Sequence, residues 1–147
     1  MNVLGYAALA LVAGVGIPVM AAMNGGLGAR IGSPVLAAVL LIGVAFLCIC
    51  AALLVSGLPS GGIAWPAPTI SYAAGFFVAL YVLSITFLAP RFGVANAIFF
   101  VLLGQLVSAA LIDHFALFGA PHVPLGLKRT LGLALMAFGV FLARKPL

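Results

Sequence analysis

Apolar residues in this chain come in long unbroken runs. The first spans Val3 to Met23, 21 residues without a charge, and the second spans Pro34 to Ser56, also uncharged. The third covers 70–89 and the fourth 92–112. The fifth, Thr130 to Ala143, reaches a comparable length as 125–143 once Lys128 and Arg129 snorkel toward water. A helix crosses the hydrocarbon core with about 20 residues at ~1.5 Å each, so five transmembrane helices are predicted. The runs are too long, and alternate too little, for the tilted strands of a membrane barrel.

The connections punctuate this pattern. Asn24-Gly25-Gly26 and Gly32-Ser33-Pro34 bracket the first expected loop. The second, Ser56 to Thr69, is dense in Gly and Pro, and its Trp65 suits the headgroup level. Ala89 to Gly93 reads as a tight turn, and Asp113 to Gly126 as the longest connection. Pro124 suits a helix start. The first run also competes with a cleaved signal peptide, with Val19-Met20-Ala21 as its cleavage site. The lack of a basic leader and the length of the run favour a retained helix.

Composition changes the picture from helical to membrane-embedded. Hydrophobic residues make up 67% of the 147 residues and charged residues 5%. Seven charged side chains do not cover a soluble domain of this size, and the same numbers exclude a disordered chain. The whole chain therefore reads as a single transmembrane domain, 1–147. Its net charge of +5 comes from basic residues spread singly or in pairs between apolar runs, which is the pattern of loop charges and not of a nucleic-acid surface.

Five spans put the termini on opposite sides. Lys128 and Arg129 fall on the N-terminal side, and Arg30, Arg91, Arg144 and Lys145 on the other. Two against four favours an outside N-terminus and a cytoplasmic C-terminus. The bias is weak enough to leave insertion in both directions open.

Candidate chemistry is sparse. No ionisable residue lies in the middle of a span, and Asp113 and His114 end the fourth. There is no carboxylate pair, no Ser/His/Asp set and no Cys/His cluster with ligand spacing, so neither an enzyme, a metal site nor a cofactor is expected. His114 and His122 read first as loop histidines. Cys48 and Cys50, two apart on a helix, point to different faces and read as apolar filler.

Neutral polar residues remain. Tyr81 and Ser84 share a face of the third run, as Gln105 and Ser108 do on the fourth, and Asn24 ends the first. Two readings stay open: glue between helices, or the lining of a substrate cavity. Stripes of small residues (Ala10, Gly14, Pro18 and Ala22; Gly104 and Ser108; Gly139 and Ala143) let backbones approach closely, within one chain or between two. Gly14, Gly16 and Pro18 also weaken the first helix near its middle and permit a bend.

Two stretches resemble a known family. One is GVGIPVMAAMNGGLGARIGSPVLAA, Gly14 to Ala38. The more specific one, Ala79 to Gly119, holds Tyr81, the APRFG turn, Gly104-Gln105-Leu106 and the DHFALFG run. They resemble the half-size, five-helix branch of the drug/metabolite transporter superfamily, the inner-membrane exporters of YdcZ type. The closing helix, 131–145 with its basic tail, fits as well. Two positions depart from that pattern: Met20 stands where a glutamine is common, and Val78 where a glycine is usual.

The resemblance implies one half of an inverted-repeat transporter fold, completed by an oppositely oriented copy or a paralogous half, in a bacterial inner membrane. The expected function is small-molecule export by alternating access. Gln105, Tyr81, Asn24, Ser84 and Ser108 are the expected cavity lining, and Gly14, Gly16 and Pro18 the bend. The expected partners are the bilayer, the second half and a small-molecule substrate. The absence of a buried carboxylate sets the chain apart from exporters that trade cations for protons on a membrane-embedded acid. The rival reading is a non-transporting scaffold or assembly subunit of a larger complex.

Overall fold

Asn2 opens the first helix by accepting the Gly5 N–H on its side-chain oxygen at 3.0 Å. In the computed structural model, which describes residues 2–58, 61 and 68–143, five α-helices follow one another. They are α1 (Val3–Arg30), α2 (Pro34–Ser56), α3 (Ala74–Phe92), α4 (Val94–His114) and α5 (Leu127–Ala143). A 3-10 turn, Thr69–Ala73, leads into α3, and another, Leu117–Gly119, lies between α4 and α5. Trp65 and the basic pair Arg144 and Lys145 lie outside the described residues.

Four segments are long and apolar enough to cross a membrane: Val3–Arg30, Pro34–Ser56, Thr69–Phe92 and Val94–His114. Their mean hydropathy runs from 2.0 to 3.1. The fifth helix has 17 residues and carries Lys128 and Arg129 in its first turn, which leaves it short of the ~20 residues of a full span.

Two boundaries differ from the sequence expectation. The first helix does not stop at Met23. It continues through Asn24-Gly25-Gly26 to Arg30, and the turn is confined to 31–33, with Gly32 at φ 70°. The physical reason is packing. A Cβ on Gly25 would stand 3.1 Å from Cβ of Ala89, and one on Gly28 would stand 3.2 Å from Cα of Pro34. These glycines are contact surfaces inside a helix, where the lipid leaves the backbone no other hydrogen-bond partner than its own carbonyls. Likewise α3 runs through Pro90 to Phe92. The break before α4 is the single residue Gly93, at φ 87°.

The chain divides into two compact units, Met1–Arg91 and Phe92–Leu147. In the first, α1 and α2 form a hairpin. Ser33 caps α2 by accepting the Leu36 N–H at 3.2 Å, and Pro34 occupies its first turn. The buried face of α1 is Ala21, Asn24, Gly25 and Gly28, that of α2 is Ala37 and Ala38, and that of α3 is Val82, Ile85, Thr86 and Ala89. This core is small in volume and rests on close backbone approach, while Leu54, Val55 and many other large apolar side chains point outward. The stripe expected to pack, Ala10-Gly14-Pro18-Ala22, is not the buried face. Gly14 and Gly16 have open space around them, and α1 is continuous across Pro18.

In the second unit, Ala97 and Ala110 are buried on α4. The loop that follows is held by Asp113 and Arg129, described below. Its backbone reaches left-handed conformations at Ala116 (φ 50°) and Phe118 (φ 56°).

Candidate functional site

The polar residues of the first unit sit on α1 and α3. Asn24, 3% exposed, donates from Nδ2 to Oγ1 of the fully buried Thr86 at 2.6 Å. A helix amide and a helix hydroxyl thus satisfy each other across two elements that lipid would leave unsatisfied. Thr86 was not among the sequence candidates. The available signal was its place on the Val82-Ile85-Thr86-Ala89 face, at helical spacing from buried neighbours.

Two residues before Thr86 on α3, Ser84 turns outward and is exposed. Tyr81 is half-buried, and its hydroxyl is buried with no hydrogen-bond partner among the described residues. Arg91, at the end of the same helix, donates to the Phe87 carbonyl at 2.8 Å and lies 3.9 Å from the centre of the Phe87 ring.

Beside Asn24 a groove of about 840 Å³ opens between α1 and α2. Met23, Asn24, Leu27 and Arg30 line it from α1, and Leu41 and Val44 from α2. Its walls are almost wholly apolar, and Arg30 is the charged group among them.

In the second unit, Gln105 and Ser108 are both exposed on α4. A Cβ on the neighbouring Gly104 would meet nothing within 4 Å. That face of small and polar residues is open among the described residues of this unit. Asn96, by contrast, is buried, and its Nδ2 donates to the Phe92 carbonyl at 3.3 Å.

Asp113, His114 and Arg129 hold the loop between α4 and α5. Arg129 Nη2 meets Asp113 Oδ2 at 2.5 Å, and its Nη1 donates to the Val123 carbonyl at 2.9 Å. The Asp113 carbonyl accepts the Val123 N–H at 3.0 Å, and His114 Nδ1 accepts the Leu125 N–H at 3.2 Å. The chain's one acidic side chain therefore holds a loop in shape. The His114 and His122 rings are 6.3 Å apart, and no cluster of three metal-ligating side chains occurs among the described residues. Cys48 and Cys50 are free thiols.

Helices that expose apolar side chains on most of their surface, around a core of Ala and Gly contacts, define a multi-pass α-helical membrane protein. Within that class, the family described as "Putative inner membrane exporter, YdcZ" matches residues 5–142, and the chain belongs to this family. Its place is the inner membrane and its kind of activity is export. No curated protein and no solved structure matches the chain.

Proposed function

We propose that the chain is a five-helix half of a small-molecule exporter, working by alternating access as a pair with an oppositely oriented copy or paralogue. The observation that carries this reading is Gln105. Its amide is exposed on an apolar helix and makes no hydrogen bond among the described residues, while Gly104 and Ser108 keep the same helix open beside it. Lipid cannot satisfy an amide, so a second chain, or a cavity holding water and substrate, must meet that face.

From the first unit, Tyr81, Ser84 and Asn24 are assigned to substrate, and from the second, Gln105 and Ser108. Asn24 already gives one donor to Thr86, which leaves it less of its amide to offer. Gly14, Gly16 and Pro18 are assigned to bending, because Pro18 leaves the Gly14 carbonyl without its helical donor. In this reading α5 spans as a fifth helix, with the N-terminus outside and the C-terminus cytoplasmic.

The Asn24–Thr86 bond favours a second reading, a scaffold in which polar groups serve only as glue. Everted inner-membrane vesicles separate the two. Uptake of an anionic, a cationic and a neutral amphipathic dye is compared with that of vesicles lacking the chain. Time-dependent accumulation of any one supports export. No accumulation of all three, with the chain present as a monomer, supports the scaffold.

A further inference from the structure

We propose that the groove between α1 and α2 binds a single-chain amphipathic organic anion, with the acidic group on Arg30 and the tail lying toward Met20. The groove volume of about 840 Å³ falls in the range of small-molecule sites, roughly 300–1,000 Å³. Along α1 it runs from Arg30 through Leu27 and Met23 to Met20, ten residues or about 15 Å of helix. An elongated apolar trough with a charge at one end fits a molecule with one tail and one head. The two methionines add unbranched, polarizable side chains that adapt to different tails.

The sign of the ligand follows from the charges. Arg30 is exposed and makes no hydrogen bond or ion pair among the described residues. No carboxylate lines the groove, and the chain's one acidic residue, Asp113, is already paired with Arg129. Nothing there would draw a cation, whereas a free guanidinium offers a planar fork of donors that matches a carboxylate or sulfonate. Desolvating the head beside apolar walls strengthens that pairing. The trough is short of the room that two acyl chains and a headgroup need, which favours a single-tailed solute over a phospholipid. That the anion is cargo rests on the exporter reading; that it binds here does not.

The test is photolabelling of the chain in nanodiscs of phosphatidylcholine. The probes are dodecanoate bearing a diazirine on its tail and a trimethylammonium compound with the same tail. The dodecanoate probe is expected to label peptides covering 20–30 and 40–45 saturably, and the cation to label them far less. Arg30→Gln should raise the half-saturating dodecanoate concentration about tenfold or more, the scale of one charge-assisted pairing, while Arg30→Lys, which keeps the charge but loses the planar fork, should fall between Arg30→Gln and the parent. Arg30 is exposed, so the folded state of both variants is checked by elution profile.

Equal labelling by the two probes, no labelling of these peptides, or an unchanged Arg30→Gln variant overturns the proposal. Loss of labelling when phosphatidylglycerol replaces part of the lipid assigns the groove to a lipid headgroup and overturns it too. Accumulation of the cationic dye alone in vesicles, with no dodecanoate labelling, overturns this site and leaves the exporter reading standing. Specific labelling without uptake of any dye supports the site and counts against the exporter reading.

Discussion

Asn24 and Thr86 lie 62 residues apart in sequence and 2.6 Å apart through Nδ2 and Oγ1, tying α1 to α3 in the buried centre of the first unit. Around this bond, Gly25, Gly28 and Ala89 bring the two backbones close enough for short side chains to meet. Bond and close approach depend on each other. A bulkier residue at either glycine would part the helices and leave both polar groups in an apolar medium.

The first prediction follows from that pairing. Thr86→Val keeps the shape and removes the acceptor, and Asn24→Leu removes the donor. Each is expected to cost about 1 kcal/mol, the usual scale of interhelical bonds in membranes, with more where the partner is left buried and unbonded. The double variant should lose less than the sum of the two. Unfolding of the four proteins in mixed detergent gives the cycle, and strictly additive losses would count against a shared bond.

The second prediction contrasts two glycines of one helix. Gly28→Ala places a Cβ 3.2 Å from Cα of Pro34 and 3.3 Å from Cγ2 of Thr86. Backbone at Pro34 does not yield cheaply, so a loss of about 1–3 kcal/mol is expected. Gly14→Ala meets open space and should be neutral or slightly stabilising, since alanine is the better helix former by about 1 kcal/mol. Melting temperatures of the two variants check this. A Gly14→Ala loss as large as that of Gly28→Ala would show that Gly14 packs on a partner.

These contrasts also mark what the sequence could tell. Uncharged runs predicted α1 to α4 because lipid demands length and apolarity, and both are visible one residue at a time. The end of α1 was not visible. Asn24-Gly25-Gly26 looks like a turn by the rules of water, where Gly frays a helix, yet in this helix the glycines are the contact surface. Ala89 to Gly93 misleads in the same way, since Pro90 is held within the last turn of α3 and only Gly93 leaves helical space. Thr86 was hidden because threonine in an apolar run passes for filler until its partner 62 residues away is known. The Asp113–Arg129 pair was hidden for a related reason: it joins two elements across a loop of irregular backbone.

That pair gives the third prediction. Both side chains are about one-third exposed, so the ion pair itself is worth at most about 1 kcal/mol. Arg129 also holds the Val123 carbonyl, whereas Asp113 loses only its side-chain contact when changed to Asn. Arg129→Gln should therefore loosen the loop more than Asp113→Asn. Hydrogen exchange at the Val123 and Leu125 amides reads this, and equal protection in the two variants would contradict it.

A fourth prediction concerns sidedness. Five spans would place Arg30, Arg91, Arg144 and Lys145 on one side and Lys128 and Arg129 on the other, a narrow difference in the charges that orient helices. Single cysteines placed at the C-terminus and in the α2–α3 loop, in a chain freed of Cys48 and Cys50, are expected to label from opposite faces. Adding two lysines to the α2–α3 loop should shift any mixed population toward one orientation. Labelling of both sites from the same face would sink the five-span reading.

The last prediction concerns Gln105. Its amide has two donors and a carbonyl oxygen, it is exposed on α4, and none of these groups is bonded among the described residues. If the amide served this chain's own fold, it would sit against another helix as Asn24 sits against Thr86. Among the described residues of its unit it does not, so Gln105→Leu should leave the melting temperature of the single chain in detergent unchanged or raise it slightly, because leucine is at home on an apolar helix. What should fall is whatever meets that face from outside. If the face meets a second chain, cross-linking between copies drops. If it meets substrate in a cavity, the chain still pairs, but dye accumulation in vesicles drops. The experiment measures melting, cross-linking and accumulation on the same two proteins. A variant that melts much lower, yet pairs and transports like the parent, would show that Gln105 is internal glue and that the open polar face of α4 is not where this protein works.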